Sequence, residues 1–190
     1  MKNDFIESLS IQTLAHIQTA YLSGDKCSIK MWGLNDGLIH LLCKPCISTD
    51  LSAAISKFVN ETNQMPFLSE NLGAFTTFLE EEISLNLLIS DCSIAGMSQN
   101  QISVLFKIPV KNLRVHYQSG YVTSDKKSTS LNDELIIEEQ LFEQYGASRL
   151  IQTSAKQYAT TLLKLSRTLD LKIHLISSVI DKMDFKITYI

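Results

Sequence analysis

Five side chains in a short stretch, Lys111, Asn112, Arg114, Val115 and Gln118, have the types that read a DNA major groove. An arginine guanidinium matches the paired acceptors of guanine and an asparagine amide matches the donor and acceptor of adenine. A lysine mainly neutralises phosphate. Spaced along one short helix, they would present an outward polar face to base edges. Ser98, Gln99, Asn100, Lys107 and His116 would hold the flanking phosphates. His116 reads as a phosphate-facing or core-edge residue rather than a catalytic one.

Charge is concentrated in the same place. Residues 97–127 carry five Lys/Arg (Lys107, Lys111, Arg114, Lys126, Lys127) against Asp125 alone, a net +4, within a chain whose total is −3. Residues 1–96 carry 5 against 11, a net −6, and residues 128–190 carry 7 against 8, a net −1. A phosphate backbone rewards local positive density, which the overall balance conceals.

Other chemistry-bearing residues lack partners. Cys43 and Cys46 form a C-x-x-C pair, which admits a zinc or a redox reading. A structural zinc needs a second ligand pair, and only the isolated Cys27, Cys92, His16 and His40 are available. No strand–helix–strand pattern surrounds the pair as a redox site would require, so buried or half-buried free thiols are the better reading. The run Glu80-Glu81-Glu82 reads as a solvated helix face rather than a metal site. No Ser/His/Asp spacing and no glycine-rich phosphate loop occurs. No enzyme activity, cofactor or metal is therefore expected.

The elements that must position these residues follow from periodicity. With 3 prolines and 7 glycines in 190 residues, long helices are expected. Apolar residues Phe5, Ile6, Leu9, Leu14, Ile17 and Tyr21 predict a helix over 4–22 closed by Gly24, with Trp32 anchoring the junction beyond it. A short helix is expected over 36–42. Asp50 caps another through Val59 with Leu51, Ala54, Ile55 and Phe58 inward. The longest is expected to start at Ser69-Glu70 and run to Ser93, burying Phe75, Phe78, Leu79, Ile83, Leu87 and Leu88. Ser98 with Gln101 makes a capping box, Ile102, Leu105 and Phe106 face inward, and the small Ser103 allows close approach of a crossing helix. Ile108 fills a turn, Pro109 opens a second helix, and Leu113 points back to the core. That pairing is a helix-turn-helix. A loop is expected over 119–130, helices over 131–145, 148–168 and 171–183, and a strand in the alternating tail 185–190.

The segment resembles the helix-turn-helix of LuxR-type regulators in Ser103, Ile108, Leu113 and the run Arg114-Val115-His116, although Lys107 departs from the commonest turn pattern. A broader resemblance covers most of residues 10–180: Tyr21 to Asp25, Met31 to Leu34, Leu42 to Pro45, Gly96 to Ser98, Leu105-Phe106 and Leu165 to Leu171. These are similar to an FlhC-like family carried by integrative and conjugative elements. The resemblance implies a transcriptional regulator, an activator of mobile-element genes, acting with a second regulatory subunit and with RNA polymerase as a further partner. The chain differs from FlhC-like proteins in one respect, since their C-terminal four-cysteine zinc site has no counterpart beyond Cys92.

These observations predict an all-α helical bundle with a central helix-turn-helix, parsed as an N-terminal helical part (1–95), the motif (96–120) and a C-terminal helical part (121–190). The expected function is sequence-specific binding of double-stranded DNA by a homo-oligomer or heteromer. The rival reading is a non-enzymatic adaptor or assembly subunit whose helix pair meets another protein. Neither a basic-then-apolar leader nor an apolar run of about 20 residues is present, so a soluble, cytoplasmic protein is expected.

Overall fold

The computed structural model describes residues 2–43, 50–113 and 129–190. The fold is all-α, with one small two-stranded sheet. Its contacts divide it into two compact units, residues 1–86 and 87–190, with the long helix α5 running through the division. Among the described residues no helix is long and apolar enough to cross a membrane.

The first unit holds α1 (Lys2–Ser23), α2 (Lys26–Met31), α3 (Asp36–Cys43), α4 (Leu51–Thr62) and most of α5 (Leu72–Ile94). Helix α1 meets α2, α3 and α4. Its inward stripe differs from the apolar spacing. Ser10, Thr13, Leu14 and Ile17 are buried, whereas Phe5 is 70% exposed and Leu9 and Tyr21 are also exposed. The two hydroxyls can sit inside because each donates within its own helix, Ser10 to the Ile6 carbonyl at 2.7 Å and Thr13 to that of Leu9 at 2.9 Å. A buried polar group so satisfied loses little on leaving water.

Capping explains where the short helices begin. Asp50 starts α4 by accepting from the amides of Ser52 and Ala53, as expected. Asp25 does the same for α2, a helix with too few periodic residues to be expected from sequence. Hydrogen bonds from Ser28 hold its carboxyl below the usual range. The core joins Leu14 and Ile17 of α1, Leu38 and Leu42 of α3, Ile55 and Phe58 of α4 and Phe75 and Leu79 of α5. Phe58 meets Phe75 edge-on at 5.1 Å between ring centres. Trp32 is half-buried against this core.

The second unit holds the end of α5, α6 (Gln99–Phe106), a 3₁₀ turn (Val110–Leu113), α7 (Leu131–Tyr145), β1 (Leu150–Thr153), α8 (Ala155–Leu169), α9 (Ile173–Lys182) and β2 (Lys186–Tyr189). Helix α7 spans the expected residues. The single helix expected over 148–168 is instead strand β1 followed by α8. Ile151 and Thr153 are buried while Leu150 and Gln152 face out, a two-residue period, and Ser154 then caps α8 by accepting from Gln157. The tail forms a strand as expected, and its partner supplies the reason for β1: the two run parallel, Ile151 opposite Ile187 and Thr153 opposite Tyr189. Two helices intervene, as a parallel pair requires a long connection. Leu87, expected in a buried stripe, is 55% exposed.

Candidate nucleic-acid interface

The described half of the motif is built as its residues require. Ser98 accepts from the amide of Gln101 at 3.2 Å and Gln101 Oε1 accepts from the amide of Ser98 at 2.9 Å. This reciprocal bond satisfies two of the amides that a helix N-terminus leaves without partners. Met97 just before the cap, and Ile102 and Leu105 within α6, are buried. Phe106 and Ser103 are half-buried.

Helix α6 stops at Lys107, which adopts the left-handed conformation with φ 55°. The Ser103 carbonyl accepts from the Lys107 amide and from the Ile108 amide, the latter at 3.2 Å, so the last turn closes on itself. Glycine usually fills such a position because it carries no Cβ to strain. A lysine there is the physical form of the departure noted in the turn pattern. It leaves the Lys107 side chain exposed.

Beyond the turn, Pro109 precedes Val110–Leu113, which is described as 3₁₀ rather than α. Leu113 is 1% exposed, seated in the core as its spacing predicts, while Lys111 and Asn112 project outward. The geometry therefore brings Ser98, Gln99, Asn100, Lys107, Lys111 and Asn112 onto one short segment. Ser98 is committed to its cap, Gln99 is half-buried, and Asn100, Lys107, Lys111 and Asn112 are exposed. Arg114, Val115, His116 and Gln118 lie outside the described residues, as do residues 119–128 of the loop expected over 119–130 and Cys46.

Of the other candidates, Glu80 and Glu81 are exposed and Glu82 pairs with Lys57, whose ammonium also lies over the Phe78 ring at 5.6 Å. The acidic run is thus a helix face with one ion pair. Cys27 is exposed, Cys43 is half-buried and Cys92 is buried. Burial raises the Cys43 thiol, and burial together with the Asp91 charge pushes that of Cys92 up to about 12. A thiol so raised is a poor nucleophile at neutral pH. Among the described residues no three His, Cys, Asp or Glu side chains gather as a metal site would require.

Sequence reasoning missed an open cleft of about 460 Å³ in the second unit, lined by Asn100, Gln101 and Val104 on α6 and by side chains of α8, α9 and β2. The signal was present in the separate tyrosines Tyr158 and Tyr189, but only the β1–β2 pairing brings them together. Asn100, expected to hold phosphate, stands at this cleft.

Compared with protein-family models, curated proteins and solved structures, the chain finds no match.

Proposed function

We propose that the protein is a sequence-specific double-stranded DNA-binding transcriptional regulator that uses residues 96–120 as a helix-turn-helix. The observation that supports this best is the turn itself. A capped helix ends in a left-handed residue, and Leu113 folds back into the core while Lys107, Lys111 and Asn112 stay in solvent. That arrangement uses Leu113 to fix the motif and leaves Lys107, Lys111 and Asn112 outside. The window carries net +4 on a chain of net −3, so the attraction to phosphate is local.

Lys111, Asn112, Arg114, Val115 and Gln118 would meet base edges, and Ser98, Gln99, Asn100, Lys107 and His116 the backbone. One such unit reads few base pairs, so the protein would act as a homo-oligomer or beside a second regulatory subunit. The resemblances to LuxR-type motifs and to FlhC-like regulators favour an activator that contacts RNA polymerase.

The test is the retention of a randomised duplex pool by the purified protein across a potassium chloride series. DNA binding through several phosphates gives a steep linear fall of log affinity with log salt, about −0.9 for each phosphate neutralised. Failure to enrich any duplex, or retention indifferent to salt, overturns the reading and favours a protein-contacting adaptor. Arg114→Ala should lower affinity for an enriched duplex by about 1–3 kcal/mol.

A further inference from the structure

The cleft between α6, α8, α9 and β2 has a composition unlike the basic segment beside it. Among the described residues that line it, Asp181 is the one charged side chain and no Lys, Arg or His contributes. Among the described residues no hydrogen bond or ion pair engages the Asp181 carboxylate, which lies in the last turn of α9. The carbonyl end of a helix carries negative partial charge, so the backbone there reinforces the carboxylate.

Two aromatic rings line the same cleft. Tyr158 and Tyr189 lie 5.8 Å apart between ring centres at a tilt of 55°. Tyr158 is 6% exposed, yet its hydroxyl has no protein hydrogen-bond partner among the described residues. A buried hydroxyl without a partner costs free energy and calls for a polar group from outside the chain. Burial first, and then the negative character of Tyr189, Asp181 and Tyr145, raises the Tyr158 phenol, so it stays a neutral donor and acceptor. The rest of the described lining mixes the neutral polar side chains Asn100, Gln101 and Ser177 with apolar ones that include Leu162, Ile187 and Val104, the last 73% exposed. The cleft falls in the size range of small-molecule sites, which combine apolar walls with a few converging polar groups.

Among the described residues, one unpaired carboxylate, two aromatic rings and an unused hydroxyl beside apolar side chains select a cation with a hydrophobic body. Among the described residues an anion would meet like charge and no cationic donor. A metal ion would find one carboxylate where it needs several ligands. We propose that this cleft binds a small organic cation, an ammonium or guanidinium group on an apolar body. Asp181 holds the charge, Tyr158 and Tyr189 flank it, and Val104, Leu162 and Ile187 receive the body. The site stands independently of whether residues 96–120 bind DNA.

The test uses phenethylammonium chloride as probe, with 2-phenylethanol and 3-phenylpropionate as its neutral and anionic counterparts. Titration calorimetry on the full chain should show saturable binding of the ammonium at least about ten-fold tighter than of the alcohol, the worth of one charge-assisted bond. No binding of the carboxylate is expected. Asp181→Asn should erase the preference for the cation while leaving the alcohol unchanged. Equal affinity for the three probes, or a preference that survives Asp181→Asn, overturns the proposal. A methyl chemical-shift map of the unsubstituted protein gives a second measure: shifts at Val104, Leu162 and Ile187 are expected, and shifts confined to other methyls overturn it.

Discussion

The amide of Ile173 donates to the carbonyl of Ala95 at 2.9 Å, joining the start of α9 to the residue just past α5. Lys172 occupies the cap position of α9 without a side-chain bond, so the Ala95 carbonyl takes up an amide that the sequence leaves without a local partner. The joint is tight. Gly96 has φ +89°, and a Cβ placed there would come within 2.9 Å of Lys172 Cδ and 3.0 Å of its Cβ.

Gly96→Ala is therefore expected to destabilise the protein by about 1–3 kcal/mol, from backbone strain and from the clash together. Gly24 has a similar φ of +73° with open space around it, so Gly24→Ala carries the strain alone. Urea unfolding of both variants separates the contributions. Equal losses would mean that the Lys172 contact carries no weight.

Ser98→Ala removes one side of the capping box on α6 and should cost about 1 kcal/mol. The same substitution should weaken binding of an enriched duplex, because α6 positions the turn that follows. Thermal melting and gel shift read the two effects. A variant with unchanged melting would show that the cap does not hold this helix.

Lys107→Gly separates charge from conformation. Glycine takes the φ 55° of this position without strain, so stability should hold or rise by up to about 1 kcal/mol. Loss of the ammonium should meanwhile reduce the salt slope of DNA binding by about 1. If the slope is unchanged, Lys107 contacts no phosphate.

Alkaline pH should unfold the protein through its buried acids. The Cys92 thiol is raised from an ordinary 9.0 to about 12, and the Tyr158 phenol is also raised, both first by burial. Each group binds its proton more tightly in the native state. Stability from them is complete below pH 9 and falls as pH climbs toward 12, since the unfolded chain then binds fewer protons. Urea midpoints measured from pH 8 upward should decline across that window. Cys92→Ser should leave the Tyr158 part of the decline, and a midpoint flat to pH 11 would show that neither group is protected.

How far the sequence could be read depended on whether a signal was local. The caps at Asp50 and Ser98, the Gly24 stop and the inward Leu113 are settled by a few neighbours, and the structure has each as expected. Strand β1 failed as a helix because its partner lies beyond two helices, and no window around Leu150 contains β2. The helix α1 was legible, but its buried face was not, because hydropathy treats Ser10 and Thr13 as outward, whereas their bonds to the preceding turn let them pack inward beside Leu14 and Ile17. Helix α2 escaped because the Asp25 cap, not periodicity, defines it. The cleft residues were invisible as a set, since α6, α8, α9 and β2 each contribute a few.

The parallel register of β1 and β2 also sets an order of events during synthesis. The core cluster of the first unit draws on residues no later than Ile83, so it can consolidate while the rest of the chain is still being made. The second unit cannot complete its sheet until Lys186–Tyr189 has left the ribosome, because Leu150–Thr153 has no other strand to pair with among the described residues. Until then Ile151 and Thr153 have no strand beside them, and the nascent chain carries one finished unit and one waiting for its last strand. Limited proteolysis of stalled chains ending before Lys186 should accordingly spare residues 1–86 and cut within 87–185, and equal resistance of both would contradict that order.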